Sequence, residues 1–287
     1  MTAVLLGVFA AVCWSFHDLM ARSLAARSGP FRMALWIMLS GGVLLSLIVG
    51  WNGTIASASR EGLGLGLILG VAYALGAAGL YKAFSYGPIS VVGPLSAAYP
   101  VLVIAWGVLT GLTPTLLQWS AVAATLLGAL VVARNSPEDG GIHSVEPGKL
   151  TWLIFYCALS GIGYSAAVII GQKGAIAMGE FETAWVSRAT AALTVLPFVL
   201  TEARRPALHP VHWLAMAAMG LLDVMGLVAI NASGHFPGKE FAAVGISAYA
   251  AIAVLLAALV LRERVAPLQW LGIAMIVAGV ATLGLGS

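Results

Sequence analysis

The chain has 287 residues, of which 61% are hydrophobic and only 9% charged, with a formal net charge of +3 and a mean hydropathy of +0.99. A water-soluble domain carries about 25% charged residues, so too few polar groups are present to face water all round, and lipid must cover much of the surface. The basic residues stand singly between apolar runs, unlike a nucleic-acid-binding face, and Cys13 and Cys157 each fall inside an apolar segment, which argues against a disulfide framework or a thiolate metal site.

With about 20 apolar residues per crossing, the length accommodates about ten spans. The first covers 2–21 and starts without a basic n-region, so it reads as a span and not as a cleaved signal. The second covers 33–51 and closes at Trp51-Asn52-Gly53; the third covers 62–81. Residues 83–133 hold no formal charge and are too long for one helix. Gly111-Leu112-Thr113-Pro114 breaks them into spans near 89–110 and 115–133. Residues 135–149 form the longest polar stretch, a linker at the chain's midpoint. The rhythm then repeats, with spans near 150–172, 183–201, 212–232, 241–261 and 266–285.

Each half reads as one copy of a repeat, 1–134 and 150–287. Leu116-Leu117-Gln118-Trp119 matches Pro267-Leu268-Gln269-Trp270, the same shift puts Gly128 on Gly279, and Ala34-Leu35-Trp36 resembles Thr183-Ala184-Trp185. Gly70 and Gly76 fall near Gly220 and Gly226. Five spans per copy is an odd number, so the second copy must enter the membrane from the opposite face. The expected fold is an all-α membrane protein of ten transmembrane helices, two inverted five-helix repeats around a central cavity, which is the plan of alternating-access carriers.

Tyr81-Lys82-Ala83-Phe84-Ser85-Tyr86-Gly87-Pro88, followed by Tyr99-Pro100, resembles the third-to-fourth span junction of the drug/metabolite transporter superfamily. Leu261-Arg262-Glu263-Arg264-Val265-Ala266-Pro267-Leu268-Gln269-Trp270 and Val277-Ala278-Gly279-Val280 resemble the turn and last span of its EamA-type repeat. The corresponding turn of the first half, Thr110-Gly111-Leu112-Thr113, lacks the glutamate, so Glu263 is assigned no transport role. The resemblance implies a ten-helix carrier of small metabolites in the bacterial inner membrane, often an exporter of amino acids. Within it, the aromatic amino-acid branch is favoured by the aromatic residues described next.

An ionised side chain at a helix centre costs about 2.5–3.5 kcal/mol on insertion scales, so each one matters. Trp14, His17 and Asp18, spaced i, i+3, i+4, share one face of the first span. This is either a solute or proton site or a satisfied pair near a helix end. Asp223 lies mid-span and corresponds to Tyr73 of the other half; it is a candidate for an ammonium group or a proton. Arg188 has the planar fork for a carboxylate, though its place near a span end also fits snorkelling to headgroups. Tyr99 and Tyr249 occupy similar places in the two halves, and Tyr164 falls near the counterpart of His17. With Trp14 and Tyr73 these rings would wall a cavity suited to a bulky zwitterion. Gly62, Gly64, Gly66 and Gly70 fit close helix packing, and Pro88, Pro94 and Pro100 a kink in the fourth span.

Lys and Arg cluster in loops after odd-numbered spans, which places both termini outside the cytoplasm; the resemblance implies both inside. No phosphate-binding loop is present, since Gly234–Glu240 (GHFPGKE) has the wrong spacing, so the driving force is a gradient, with Asp18 or Asp223 the coupling acid if protons are used. His209 and His212 look like loop residues and lack the carboxylates of a metal-dependent enzyme. The expectation is a carrier without cofactor, metal or enzymatic activity, whose partners are the bilayer and a small solute, as a monomer or a homodimer. The alternatives are a carrier of another metabolite or drug, a channel, or a membrane-embedded enzyme.

Overall fold

A computed structural model of the protein describes residues 1–53, 58–87, 92, 99–134, 145–202, 210–260 and 265–285. Pro88, Pro94, His209, Glu263 and most of the expected linker lie outside them. The elements are α1 (Thr2–Ser28), α2 (Pro30–Asn52), α3 (Arg60–Ala83), α4 (Tyr99–Leu109), α5 (Leu116–Arg134), α6 (Pro147–Met178), α7 (Glu180–Leu200), α8 (Pro210–Ala232), a 3₁₀ turn (Ser233–His235), α9 (Phe241–Ile246), α10 (Ala248–Val260) and α11 (Pro267–Leu285). Among the described residues eight segments are long and apolar enough to cross a membrane, α9 and α10 counting as one, while α4 and α5 contribute shorter apolar stretches.

Two helices outrun the lengths expected from hydropathy. Arg22 and Arg27 belong to α1, and Lys173 to α6, although all three read as loop residues. The chain turns from α1 to α2 through Gly29 alone and from α6 to α7 through Gly179 alone, at φ +82° and +100°. Only glycine adopts such angles without a Cβ penalty, so these two residues replace the expected loops. Pro30, with its φ already helical, then starts α2. His212 also lies within a helix, α8.

Aromatic contacts fix the helix directions. The Phe31 ring at the start of α2 stacks on Phe198 near the end of α7 at 5.4 Å and meets Tyr81 at the end of α3 edge-on at 5.8 Å. At the opposite end, Gly62 at the start of α3 lies against Met178, the last residue of α6. Thus α6 runs antiparallel to α3. Helix α3 packs on α6 and α7, α8 packs on α1 and α2, and α5 packs on α11.

The seams are built on small residues. A Cβ on Gly70 would sit 2.5 Å from the Ser187 carbonyl oxygen, and one on Gly128 would sit 2.7 Å from that of Gly272. These helices therefore touch backbone to backbone, as dispersion-driven packing in lipid requires. Gly64, grouped with the packing glycines in the sequence, faces open space and takes no part. Contacts recur at an offset of 150 residues. Gly70 meets Ser187, Thr190 and Ala191 of α7, while Gly220 meets Ile37, Ser40 and Gly41 of α2. The Ser165 hydroxyl donates to the Gly161 carbonyl of its own helix at 2.6 Å and approaches the Tyr99 carbonyl at 3.1 Å, while the Ser15 hydroxyl donates to that of Ala11 at 2.7 Å and approaches that of Tyr249 at 3.4 Å.

Candidate functional site

Midway along these seams, Asp223 of α8 gathers three partners. Its Oδ1 accepts the indole N–H of Trp14 at 3.1 Å and the hydroxyl of Tyr73 at 2.9 Å, and its Oδ2 lies 2.9 Å from Nη2 of Arg188 on α7. The Arg188 guanidinium carbon stands 4.5 Å from the centroid of the Tyr73 ring, in a cation–π contact. The Arg188 and Asp223 side chains are 1% and 4% exposed. Arg188 therefore does not snorkel: α7 places it against α2 and α3, and its charge is compensated inside the bundle.

Glycines seat the rings around this pair. A Cβ on Gly226 would come within 3.0 Å of Trp14 Nε1, and one on Gly76 within 3.1 Å of the Tyr164 ring. The counterpart of Tyr164 at the 150-residue offset is thus Trp14, three residues before His17. Tyr164 meets Tyr73 at 5.8 Å and Tyr99 at 6.1 Å between centroids. Removing both charges from water costs several kcal/mol per ion, and the indole, the phenol and the ring face offset part of it. The satisfaction is incomplete on one side. Among the described residues neither Nε nor Nη2 of Arg188 has an acceptor in hydrogen-bonding alignment, despite the short Nη2–Oδ2 approach.

A second group stands on α1. Oδ1 of Asp18 lies 2.7 Å from Nδ1 of His17, and Oδ2 accepts the hydroxyl of Tyr249 from α10 at 2.5 Å. The His17 side chain is 13% exposed, that of Asp18 49%. Both Tyr81 and Tyr164 lie within electrostatic reach of Asp18 and of Asp223, and His17 lies within reach of Asp223 and Arg188. The two groups therefore lie within electrostatic reach of each other. Direct contacts join six of the residues singled out in the sequence, Trp14, Tyr73, Tyr99, Tyr164, Arg188 and Asp223, while His17, Asp18 and Tyr249 make up the second group.

Other participants escaped notice. Tyr81 follows Tyr73 by eight residues, two helical turns along the same face, and that spacing was its signal. Glu202 gave none. Its carboxylate accepts the backbone N–H groups of Phe31 at 2.7 Å and Arg32 at 3.2 Å, capping α2 from just beyond the end of α7. It borders a cavity of about 280 Å³ with Phe31, Tyr81, Lys82, Ser85 and Thr201. The opposite end is tightly packed. There Gln172 donates to the Ser233 hydroxyl and to the Lys239 carbonyl, each at 2.9 Å, and Gln172, Thr183, Asn231 and Ser233 are all buried. Among the described residues, no three His, Cys, Asp or Glu side chains converge as a metal site would require.

Comparison with known proteins bears on this arrangement. A Synechocystis sp. protein described as an uncharacterized transporter is 24% identical over 230 residues, spanning 78% of this chain and 66% of its own length. The crystal structure of another protein superposes with a TM-score of 0.83 at 20% identity, covering 99% of this chain and 96% of the other, and so shares the fold. The profile of the EamA-like transporter family matches residues 1–134 and 151–285. With that match on both halves of a many-helix bundle, the chain belongs to the EamA-like transporter family and is a multi-pass membrane transporter.

Proposed function

We propose that the protein is a secondary carrier of small organic metabolites, working by alternating access between two inverted five-span repeats that together make ten crossings. The observation that carries this reading is the pairing of contacts at the 150-residue offset. Gly70 and Gly220, Ser165 and Ser15, and Tyr164 and Trp14 make equivalent contacts across the seams, with an ion pair at their centre. Two similar halves in opposite senses can exchange conformations, opening a shared site to one face and then to the other. The antiparallel run of α3 and α6 supports the opposite senses. The tightly packed end at Gln172 and Ser233, against the cavity beside Tyr81 and Glu202, supports a site open toward one face at a time.

The solute we propose is an amino acid with a bulky, preferably aromatic, side chain, moved outward across a bacterial inner membrane. Opposite charges, with the Arg188–Asp223 pair at the centre and Asp18 on α1, suit a zwitterion, and the Tyr and Trp rings suit its apolar part. The test is counterflow in proteoliposomes loaded with each of a panel of amino acids, purines, sugars and quaternary amines. Saturable exchange of aromatic amino acids is expected. Exchange confined to another class contradicts the substrate, and an ion conductance without counterflow contradicts the carrier.

A further inference from the structure

We infer that Asp18, not Asp223, receives the solute's ammonium group, so that the ligands include primary amines on an aromatic body whether or not they bear a carboxylate. This rests on the carrier reading above for its meaning in transport, but not for its geometry.

The charges at the centre are unequal in availability. Asp223 has both oxygens engaged and is nearly sealed from solvent. An ammonium could reach it only by displacing Arg188, which would leave a guanidinium uncompensated in a medium of low dielectric. Arg188 itself lies under the Tyr73 ring at 1% exposure. The pair is neutral as a unit and closed. Asp18 differs on every count. Its side chain is half exposed although it lies within the apolar span Thr2–Ala21, near its end. A carboxylate has about four lone-pair positions, and here His17 and Tyr249 engage one on each oxygen. Among the side chains that the structure describes, which do not include that of Arg22 one turn on, no Lys or Arg pairs with it. Tyr81 and Tyr164 lie within its field, and tyrosine rings attract a cation on an aromatic body in a way they would not attract a carboxylate-only solute.

The carboxylate of an amino acid has a separate destination. The Nε and Nη2 donors of Arg188 lie on one edge of the guanidinium, the edge a carboxylate grips in bidentate fashion. Its Nη2 lies 2.9 Å from Oδ2 of Asp223, so that edge becomes available only when Arg188 moves away from Asp223 and from beneath Tyr73. In the present conformation recognition is therefore through the ammonium alone, and an acid without an amine finds no partner.

The experiment is equilibrium binding of radiolabelled tryptamine to the purified full chain in detergent, with tryptophan and indole-3-propionate as competitors. Saturable tryptamine binding is expected, displaced by tryptophan and not by indole-3-propionate. Asp18→Asn is expected to weaken it roughly tenfold or more, the scale of a charge-assisted hydrogen bond, with an unchanged melting temperature. If Asp18→Asn does not yield folded protein, Tyr249→Phe takes its place: the loss of one hydroxyl partner should change tryptamine affinity by about threefold or more. Tryptamine binding that survives the Asp18 or Tyr249 substitution, displacement by indole-3-propionate as strong as by tryptophan, or no saturable tryptamine binding to folded protein each overturns the assignment. Binding with this pattern but without counterflow overturns the carrier reading and leaves the assignment standing.

Discussion

Ser15 and Ser165 stand 150 residues apart and make the same contact, each hydroxyl reaching the carbonyl of a tyrosine in the opposite half. Gly70 and Gly220 repeat the pattern on the α7 and α2 backbones, and Gly76 and Gly226 repeat it under the Tyr164 and Trp14 rings. The charged positions do not follow. Where the second half has Arg188 and Asp223 the first has Met38 and Tyr73, and where the first has His17 and Asp18 the second has Ala167 and Val168. The joints of the two halves are alike and their chemistry is not. Packing must work equally in both halves if they are to exchange conformations, whereas a solute with two different ends needs different groups on each side.

The sharpest way to break that contrast is to remove one charge. Asp223→Ala leaves Arg188 buried without a counter-ion and should cost about 3–5 kcal/mol, read as a large loss of melting temperature in detergent. Importing neutral chemistry at both positions, Arg188→Met with Asp223→Asn, should restore most of that stability while abolishing transport. Stability that stays low would show that the pair is structural cement and not a site.

Next come the joints. Gly70→Ala and Gly220→Ala each place a methyl within 3.0 Å of another helix's backbone, and overpacking of this kind costs about 1–3 kcal/mol. The two losses should be similar. Gly64→Ala, with nothing within 4 Å, should instead gain up to about 1 kcal/mol from helix propensity. A destabilising Gly64→Ala would contradict the placement of α3.

The hinges give a smaller effect. Gly29 turns under the Glu202 carboxylate, which caps α2 from the other half of the chain, whereas Gly179 turns against the carboxylate of Glu182, which belongs to α7 itself. Glu202→Gln should cost about 1 kcal/mol, the usual value of a cap. It should also raise hydrogen exchange in the first turn of α2 while leaving α7 unchanged. Smallest of all, Ser15→Ala and Ser165→Ala should each cost about 1 kcal/mol or less, and a marked difference between them would separate the two seams energetically.

Much of this plan was legible in the residues. Hydropathy marked the apolar segments, because lipid demands long unbroken runs. Charges inside such runs are costly enough to stand out, which is why Asp18, Arg188 and Asp223 drew attention. The lengths of α1 and α6 were not legible, since a single glycine at positive φ looks like part of a loop. Nor was the Arg188–Asp223 pairing: the partners sit on different helices, and position near a span end pointed Arg188 toward headgroups. Gly64 shows the converse, for a glycine in a packing pattern says nothing about which face of the helix meets a neighbour. Glu202, in a polar stretch at the end of α7, carried no local mark of the helix it caps.

The most direct test is counterflow of labelled tryptophan in proteoliposomes, comparing the native chain with a folded Arg188→Met/Asp223→Asn variant. Saturable exchange in the native chain and none in the variant is the expected result. Undiminished exchange in the variant, or flux through the native chain that never saturates, would contradict a solute site held between the two halves.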